Sequence, residues 1–317
     1  MKATLQQDIK AVVAATDFSE PARVALSWAM AISRIHGAVL HIVHAVSRTL
    51  PFVDRLEPFA LLGEISTGVE DRLLGRLEST LHSPDQPVEC HLVPDRPSEA
   101  TLAVAERVGG GLIVLGTRGE GGFPQLHLGS TAERVVQGAT CPVLTVSPES
   151  KRPTGKLSRI LLATDFSSEA DAAMRAVERI FPQRERSAEI LLLSVLQIPL
   201  GLEEGAEAKK LWHDYVRECR ALLQERLDRL LGSFQSQRLS GRAILREGIP
   251  AVEIVRVALS EEVDLVALGS RGGFAAGRVF LGSVSKRVVQ TAPIPVLTVP
   301  SPLPTITRLH QEHSRKN

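Results

Sequence analysis

Residues 11–19 of this chain read AVVAATDFS, and residues 160–167 read ILLATDFS, so one short stretch occurs twice within 317 residues. Each stretch is an apolar run with β propensity that ends in Thr-Asp-Phe-Ser, and Asp17 and Asp165 are 148 positions apart. A self-similarity at about half the chain length predicts two copies of one structural unit in tandem. Three later landmark pairs are 153 positions apart, namely Gly116 and Gly269, Gly129 and Gly282, and Val143 and Val296.

The two offsets differ by about five residues, which indicates an insertion in the second copy before its later landmarks. We place copy one at residues 1–148 and copy two at residues 156–300. The segment between them is polar and contains Pro148, Pro153 and Gly155, which is typical of an exposed linker. Residues 301–317 show no core pattern and are expected to be a disordered tail.

Strand and helix patterns alternate within each copy. Because parallel neighbours need crossover connections, this alternation predicts an α/β fold with two tandem, doubly wound, Rossmann-like parallel sheets. Ligands of such sheets bind at the carboxyl ends of the strands. In copy one the pattern predicts strands over 10–15, 38–46, 88–93, 112–115 and 143–146, and helices over 21–36, 69–81, 98–108 and 131–137.

The composition argues against several classes of partner. The chain has a net charge of +1 and so lacks the excess of basic residues that is typical of a nucleic-acid-binding protein. No apolar run approaches the roughly 18 residues of a membrane span, and no signal peptide is visible at the N-terminus. Three scattered cysteines without a CxxC pair indicate neither a disulfide framework nor a zinc site. A reducing, cytoplasmic setting and no metal centre are therefore expected.

A glycine loop follows the fourth strand of each copy. It reads GTRG at 116–119 and GSRG at 269–272, and nine residues later come Gly129-Ser130 and Gly282-Ser283. Glycines at a strand end and a helix N-terminus expose backbone N–H groups to a phosphate chain, and the helix dipole favours the negative charge. The loop thus predicts a phosphate-binding site in which the two Gly-Ser pairs hold the outer phosphates.

A structural explanation of the same residues stays open. The glycines can simply shape a tight turn, and Ser130 and Ser283 can cap the helices that follow, since residues 130–133 have the S-x-x-E form of a capping box. Ser19 and Ser167 are interpreted as helix caps. For Asp17 and Asp165 we favour ligand binding over capping.

The glycine loop, taken together with Thr-Asp-Phe-Ser at the end of the first strand, resembles the ATP-binding class of the universal stress protein family over nearly all of both copies. The resemblance implies an adenine nucleotide alpha hydrolase-like fold and ATP as ligand, with Mg²⁺ as an optional companion. It implies that the first-strand aspartate binds adenine and that a second-strand residue packs beside the base and ribose. The implied site residues are Asp17, Ala45, Gly116, Gly119, Gly129 and Ser130 in copy one, and Asp165, Val195, Gly248, Gly269, Gly272, Arg278, Gly282 and Ser283 in copy two.

The two copies match this family unequally. The family has a G-x-P turn before the helix that follows its third strand, which copy two keeps at Gly248 and copy one replaces with Asp95. An arginine of the family's spacer matches Arg278, whereas copy one has Gln125 at that position. An added carboxylate and a lost cation both disfavour a triphosphate. Copy two is therefore expected to be the better ATP site.

Three functions follow as hypotheses. The first is a nucleotide-binding, regulatory stress-response protein; the second is a scaffold or chaperone-like assembly protein with one or both sites empty; the third is a slow ATPase. Neither a Walker loop nor an SGGxDS loop is present, which argues against a fast nucleotide enzyme. The closing strands over 143–146 and 296–299 are edge candidates that need a partner. They predict an internal pseudo-dimer of the two copies, with a homodimer as a further assembly.

Overall fold

The computed structural model describes residues 9–46, 75, 86–119, 128–153, 157–182, 188–197, 206–235, 240–271 and 281–300. Apart from residue 75, the predicted helix over 69–81 lies outside the described residues, as does the predicted tail over 301–317. In copy one the other predicted strands and helices are confirmed, each end within one residue of its predicted position.

The described part of the chain forms ten strands and seven helices. The strands are β1 (Ala11–Ala15), β2 (Val39–Ala45), β3 (Val88–Val93), β4 (Leu112–Gly116), β5 (Val143–Val146), β6 (Arg159–Ala163), β7 (Glu189–Leu196), β8 (Gly241–Glu247), β9 (Leu265–Gly269) and β10 (Val296–Val299). The helices are α1 (Glu20–His36), α2 (Pro97–Arg107), α3 (Ser130–Gly138), α4 (Ser168–Ile180), α5 (Ala206–Gln235), α6 (Pro250–Ser260) and α7 (Ser283–Thr291).

All ten strands belong to one continuous sheet, in the order β3-β2-β1-β4-β5-β10-β9-β6-β7-β8. Neighbours within each copy are parallel, which confirms the predicted α/β fold. The closing strands β5 and β10 pair antiparallel and place Leu144 opposite Leu297, which occupy equivalent positions in the two copies. The copies are thus related by an approximate twofold axis through this seam, and neither closing strand is left as a sheet edge.

Helices cover both faces of the sheet and enclose two hydrophobic layers. One layer lies under α1 and α4, and the other lies under α2, α3, α6 and α7. Strands buried on both faces need apolar residues at nearly every position. The run AVVAA in β1 meets this need throughout, and the run RILLA in β6 meets it after Arg159. The helices begin and end where the local sequence permits: α1 starts after the Ser19 cap and stops at Gly37, whose φ is 60°.

The linker between the copies is exposed at Glu149, Lys151 and Arg152, as expected, but it is also docked on the protein. Ser150 is buried, at 7% exposure, and the Trp28 indole of α1 donates a 3.0 Å hydrogen bond to the Lys151 carbonyl. Arg152 pairs with Glu20 at 3.1 Å on the surface. Among the described helices, none has both the length and the apolar character that crossing a membrane requires.

Candidate functional site

The first strand of each copy ends in the same tight turn. The Asp17 and Asp165 carboxylates each accept a 3.0 Å hydrogen bond from the amide two residues later. Between them Phe18 and Phe166 adopt left-handed φ values of 65° and 62°, which a local side-chain hydrogen bond of this kind helps to hold. Each aspartate therefore helps to hold the turn. The turn in return fixes the aspartate side chain at the carboxyl end of the first strand.

The serine that follows each turn is the helix cap, as the sequence analysis expected. Ser19 accepts a hydrogen bond from the Ala22 amide, and Ser167 accepts one from the Ala170 amide, both at 3.3 Å. These hydroxyls are committed to the N-termini of α1 and α4. The aspartates are the charged side chains of the turn that can reach a ligand.

In copy two the carboxyl ends of β6, β7 and β9 open into a cavity of about 440 Å³. Its volume lies within the range of small-molecule sites. Of the residues that the sequence analysis assigned to copy two, the structure brings Asp165, Val195, Gly269, Gly282 and Ser283 together here. The apolar wall includes Leu193, Ile254 and Leu268, and the polar part includes Asp165, Arg271 and the first turn of α7.

The first turn of α7 lines this cavity. Gly282 is the N-cap and its own N–H is used, because it donates to the Ser270 carbonyl at 2.8 Å. The first helical hydrogen bond is donated by Lys286 to Gly282, so helix geometry leaves the amides of residues 283–285 without intrahelical acceptors. All three of these residues line the cavity.

The alternative in which Ser130 and Ser283 cap their helices is wrong. The N-cap residues are Gly129 and Gly282, so neither helix N-terminus has a side-chain cap hydrogen bond. The predicted capping box of residues 130–133 does not form either. Instead, the Glu133 carboxylate lies 2.5 Å from the Lys286 ammonium group, across the seam between the copies. The capping pattern was misleading because Gly129 is the N-cap, so Glu133 stands four residues after the cap, one position beyond the place that a capping box requires.

At Gly269 the requirement for glycine comes mainly from packing on the first helix of its copy, whereas at Gly116 the tightest contact is with the Arg118 carbonyl oxygen of its own loop. A Cβ on Gly269 would lie 2.7 Å from the Glu169 Cβ in the first turn of α4, and one on Gly116 would lie 3.5 Å from Pro21 in α1 and 3.1 Å from the Arg118 carbonyl oxygen. Gly269 still contributes its backbone to the cavity. The spacing in the loop therefore reflects helix packing as well as access for a ligand.

The turn before α6 differs between the copies in backbone conformation. Gly248 has a φ of 140°, which side chains rarely adopt, and a Cβ there would lie 3.2 Å from the Glu253 carboxylate. Its copy-one counterpart, Asp95, is not in a positive-φ conformation, and its amide bonds locally to the Val93 carbonyl at 2.9 Å. Copy one therefore reaches α2 by a different turn, which brings an exposed carboxylate to this position.

The loop arginines also differ in their surroundings. In copy one Arg118 forms a 3.1 Å ion pair with Glu149, and the hydrogen bond from Ser147 to Glu149 holds the pKa of that carboxyl below its usual range. The position equivalent to Glu149 in copy two is Pro302. Arg271 of copy two lines the cavity. In copy one a carboxylate thus offsets the charge of the loop cation.

The remaining copy-one predictions lie around the same turn. Gly119 packs directly against Asp17, because a Cβ on Gly119 would lie 2.5 Å from its carboxylate. Ala45 is half-buried at the end of β2. His44 is a packed histidine: its ring lies 4.7 Å from that of Phe18, and its Nδ1 donates to the Thr16 carbonyl at 2.9 Å. Gly272, Arg278 and Gln125 lie outside the described residues, and their roles stay predictions.

The structure also assembles a cluster that the sequence analysis did not connect. His41 on β2 and Glu89 and His91 on β3 bring one side-chain ligand atom each within 4.8 Å of one another. Burial lowers the pKa of both imidazoles, an effect that Glu89 partly opposes at each of them. The alternation of Glu89 and His91 along a strand was a signal that both point to one face. His41 joins Glu89 and His91 only through the pairing register of β3 on β2, which sets it opposite Glu89.

Comparisons with known proteins agree with this architecture. A sequence model described as "Universal stress protein family" matches residues 8–147 and 156–300. A universal stress protein of Mycobacterium tuberculosis is 26% identical over 292 residues, which cover 90% of this chain and 95% of the relative. One of Thermus aquaticus is 37% identical over 138 residues, covering 43% of this chain and 98% of the relative.

A solved structure shows the same fold. The crystal structure of a universal stress protein from Archaeoglobus fulgidus superposes with a TM-score of 0.63 at 18% identity, covering 93% of this chain and 97% of that one. At this identity the likeness concerns the fold of the whole two-copy chain.

Proposed function

The chain belongs to the universal stress protein family, and on that premise we propose that its second copy binds an adenine nucleotide, ATP first among them, in a regulatory stress-response role. The observation that carries the proposal is the cavity of about 440 Å³ in copy two. It combines apolar walls, a carboxylate and a helix N-terminus at the carboxyl edge of a parallel sheet, where such folds bind ligands.

The adenine is proposed to lie between Asp165 and the apolar wall. A carboxylate accepts hydrogen bonds from an exocyclic amino group, and Asp165 is held at the strand end by its turn. Val195, Leu193 and Ile254 provide an apolar surface on which a flat base and its ribose can pack. This arrangement fits the positions that the family resemblance implied for Asp165 and Val195.

The phosphates are proposed to lie at the other end, against the first turn of α7. The amides of residues 283–285 and the positive end of the helix dipole favour a phosphate. Arg271 adds a cation to the same cavity. Mg²⁺ would accompany a triphosphate mainly through phosphate oxygens and water. Gly272 and Arg278 are proposed to complete this end.

Copy one is proposed to be a weaker site that serves mainly as the structural partner of copy two. Its loop cation is paired with Glu149, and Asp95 adds a carboxylate at the turn before α2. Its closing strand β5 covers β10. Because both closing strands are already paired within one chain, a homodimer would have to use another surface.

The assignment of the protein to the cytoplasm stays part of the proposal. The three cysteines, Cys90, Cys141 and Cys219, are all free thiols, which suits a reducing compartment where ATP is abundant.

The test begins with denaturing freshly purified protein and identifying the released nucleotide by mass spectrometry. We expect about one equivalent of adenine nucleotide per chain, retained because slow release accompanies tight binding. Calorimetry on the stripped protein, with ATP, ADP and GTP each with and without Mg²⁺, should show binding of the adenine nucleotides to one site. No retained nucleotide and no ATP binding would contradict the proposal and favour the scaffold hypothesis. Steady phosphate release well above background would favour the slow ATPase.

A further inference from the structure

A cluster at the outer edge of copy one is separate from the nucleotide cavity. It lies on β2 and on β3, which is the terminal strand of the sheet, and the register sets His41 opposite Glu89. His41 Nδ1 is 3.0 Å from His91 Nε2 and 3.2 Å from a Glu89 carboxylate oxygen. The same oxygen is 4.0 Å from His91 Nε2. Three potential ligand atoms therefore surround one point.

Copy two shows that the fold does not require these residues. By strand register, the positions equivalent to His41, Glu89 and His91 are Leu191, Arg242 and Ile244. Leu191 is fully buried in the core, and His41 takes its place at 5% exposure. Burying an imidazole where a leucine packs costs free energy unless its polar atoms are satisfied. Some interaction must therefore compensate for this histidine in copy one.

Hydrogen bonding alone does not satisfy the cluster. The Arg107 guanidinium lies 3.0 Å from His91 Nδ1, and because arginine only donates, that nitrogen must accept. The proton of a neutral His91 is then on Nε2 and points at His41 Nδ1, which must accept as well. That leaves the lone pair of His41 Nδ1 facing the ionised Glu89 carboxylate, so two acceptors are in contact. As long as Arg107 donates to His91 Nδ1, no tautomer of the two neutral imidazoles makes all of these contacts favourable.

We propose that His41 Nδ1, His91 Nε2 and the Glu89 carboxylate bind a divalent transition-metal ion of the zinc class. Two imidazoles and one carboxylate are a common ligand set for such ions. Zinc–nitrogen bonds of about 2.0–2.1 Å in a tetrahedral site place neighbouring ligand atoms about 3.4 Å apart. The separations of 3.0, 3.2 and 4.0 Å bracket this value. The fourth position is open to water.

The bound ion would join the terminal strand β3 to β2 and so stabilise the edge of the sheet. Arg107 opposes it, because a metal on His91 Nε2 moves the ring proton to Nδ1, where it faces the guanidinium. Arg107 stands in the last turn of α2, and its contact with His91 is exposed to solvent, so its side chain can turn away. The guanidinium thus lowers the affinity of the site without blocking it.

The test uses the full chain with His310 and His313 replaced by alanine, so that the C-terminal histidines cannot supply ligands. Zn²⁺ binding is measured by calorimetry, and Co²⁺ provides a visible absorption band that reports nitrogen coordination. We expect about one ion per chain and a rise in the melting temperature of the protein, since a ligand that binds only the folded state stabilises it.

The matched control carries His41→Leu and His91→Ile, the residues that copy two has at these positions. It should fold normally and lose the site. Glu89→Gln is a second variant that leaves the core untouched, because Glu89 is exposed, and it should weaken Zn²⁺ binding roughly tenfold or more. Arg107→Gln should tighten binding several-fold.

Two results would overturn the assignment. One is unchanged Zn²⁺ affinity and Co²⁺ absorption in both the Leu/Ile variant and Glu89→Gln, which would place the ion elsewhere. The other is no binding at millimolar Zn²⁺ in the parent chain and in Arg107→Gln, which would leave only a strained hydrogen-bond cluster.

Discussion

The two copies share a backbone plan and differ where a ligand would meet it. Their first strands end in the same turn, and their glycine loops have the same spacing. In copy two that framework surrounds a cavity that Arg271 lines. In copy one Glu149 pairs with the corresponding arginine, Arg118. Local packing and hydrogen bonds maintain the turns and the loop glycines in both copies. A repeated motif therefore predicts a repeated fold more securely than a repeated function.

Even equivalent residues have found different neighbours. Phe18 packs on His44 in copy one, whereas Phe166 in copy two lies under the Arg226 guanidinium at 4.3 Å. Glu133 and Lys286 occupy equivalent positions and pair with each other. A dimer of two identical copies would set like charges against each other here. The sequence divergence between the copies therefore favours pairing of unlike copies within one chain.

The largest expected effect comes from the seam that the copies share. Leu144→Ala and Leu297→Ala should each lower the free energy of unfolding by about 2–5 kcal/mol, because both leucines are fully buried and each leaves a cavity. Urea denaturation should show both variants shifting one common transition. Leu222→Ala in α5, an exposed position, is the control. Two separate transitions, with each variant affecting only one, would show that the copies are stable independently.

The next effect separates the two first-strand aspartates. Asp165→Asn should weaken ATP binding roughly 10- to 100-fold, the loss expected for a hydrogen bond to a charged group. Asp17→Asn should leave the tight site unchanged. Asparagine keeps the oxygen that accepts from the residue 167 amide, so the turn is preserved. Calorimetry on the stripped variants measures the effect, and equal losses in the two variants would contradict a functional difference between the copies.

An exchange of residues between the turns that precede α2 and α6 tests the backbone difference. Gly248→Asp should cost about 1–3 kcal/mol of stability because φ is 140° there, and its carboxylate should also weaken ATP binding. Asp95→Gly should change stability by no more than about 1 kcal/mol. Gly248→Ala separates the two causes, because it keeps the strain and lacks the charge. Thermal unfolding and ATP titration provide the readouts. A Gly248→Asp variant as stable as the parent protein would mean that the two turns are interchangeable.

The smallest effect concerns the ion pair at the seam. Lys286→Glu and Glu133→Lys should each destabilise the protein by about 0.2–1 kcal/mol, since the pair is partly exposed. The double exchange should restore most of the loss. The difference should shrink in high salt, where exposed charges are screened. If the double variant is no more stable than the two single variants predict together, the pair does not contribute to matching the copies.

Several features were predictable because they depend on local sequence. The alternation of apolar runs with helical spacing located the described copy-one elements to within one residue. Ser19 and Ser167 were identified as caps because a capping hydroxyl bonds to an amide three residues away. The family resemblance assigned Asp165 and Val195 to one site, and both line the copy-two cavity, where carboxyl ends of parallel strands meet.

Other features could not be predicted in this way. Glu133 has the right spacing for a capping box, but a lysine 153 positions away lies within 2.5 Å of it. The glycine at Gly269 was interpreted as room for a ligand, although Glu169 packs on its other side. In both cases the partner in the structure is distant along the chain, and spacing within one segment contains no information about it.

By itself the sequence therefore determined the tandem repeat, the α/β class, the strand and helix order of each copy and the turns at the strand ends. These depend on residue periodicity and on hydrogen bonds between near neighbours. Only the tertiary structure decided that β5 and β10 pair antiparallel with Leu144 opposite Leu297, that Glu149 meets Arg118, and that His41, Glu89 and His91 converge. The physical reason is that strand register and side-chain contacts between distant segments are set by packing of the whole chain.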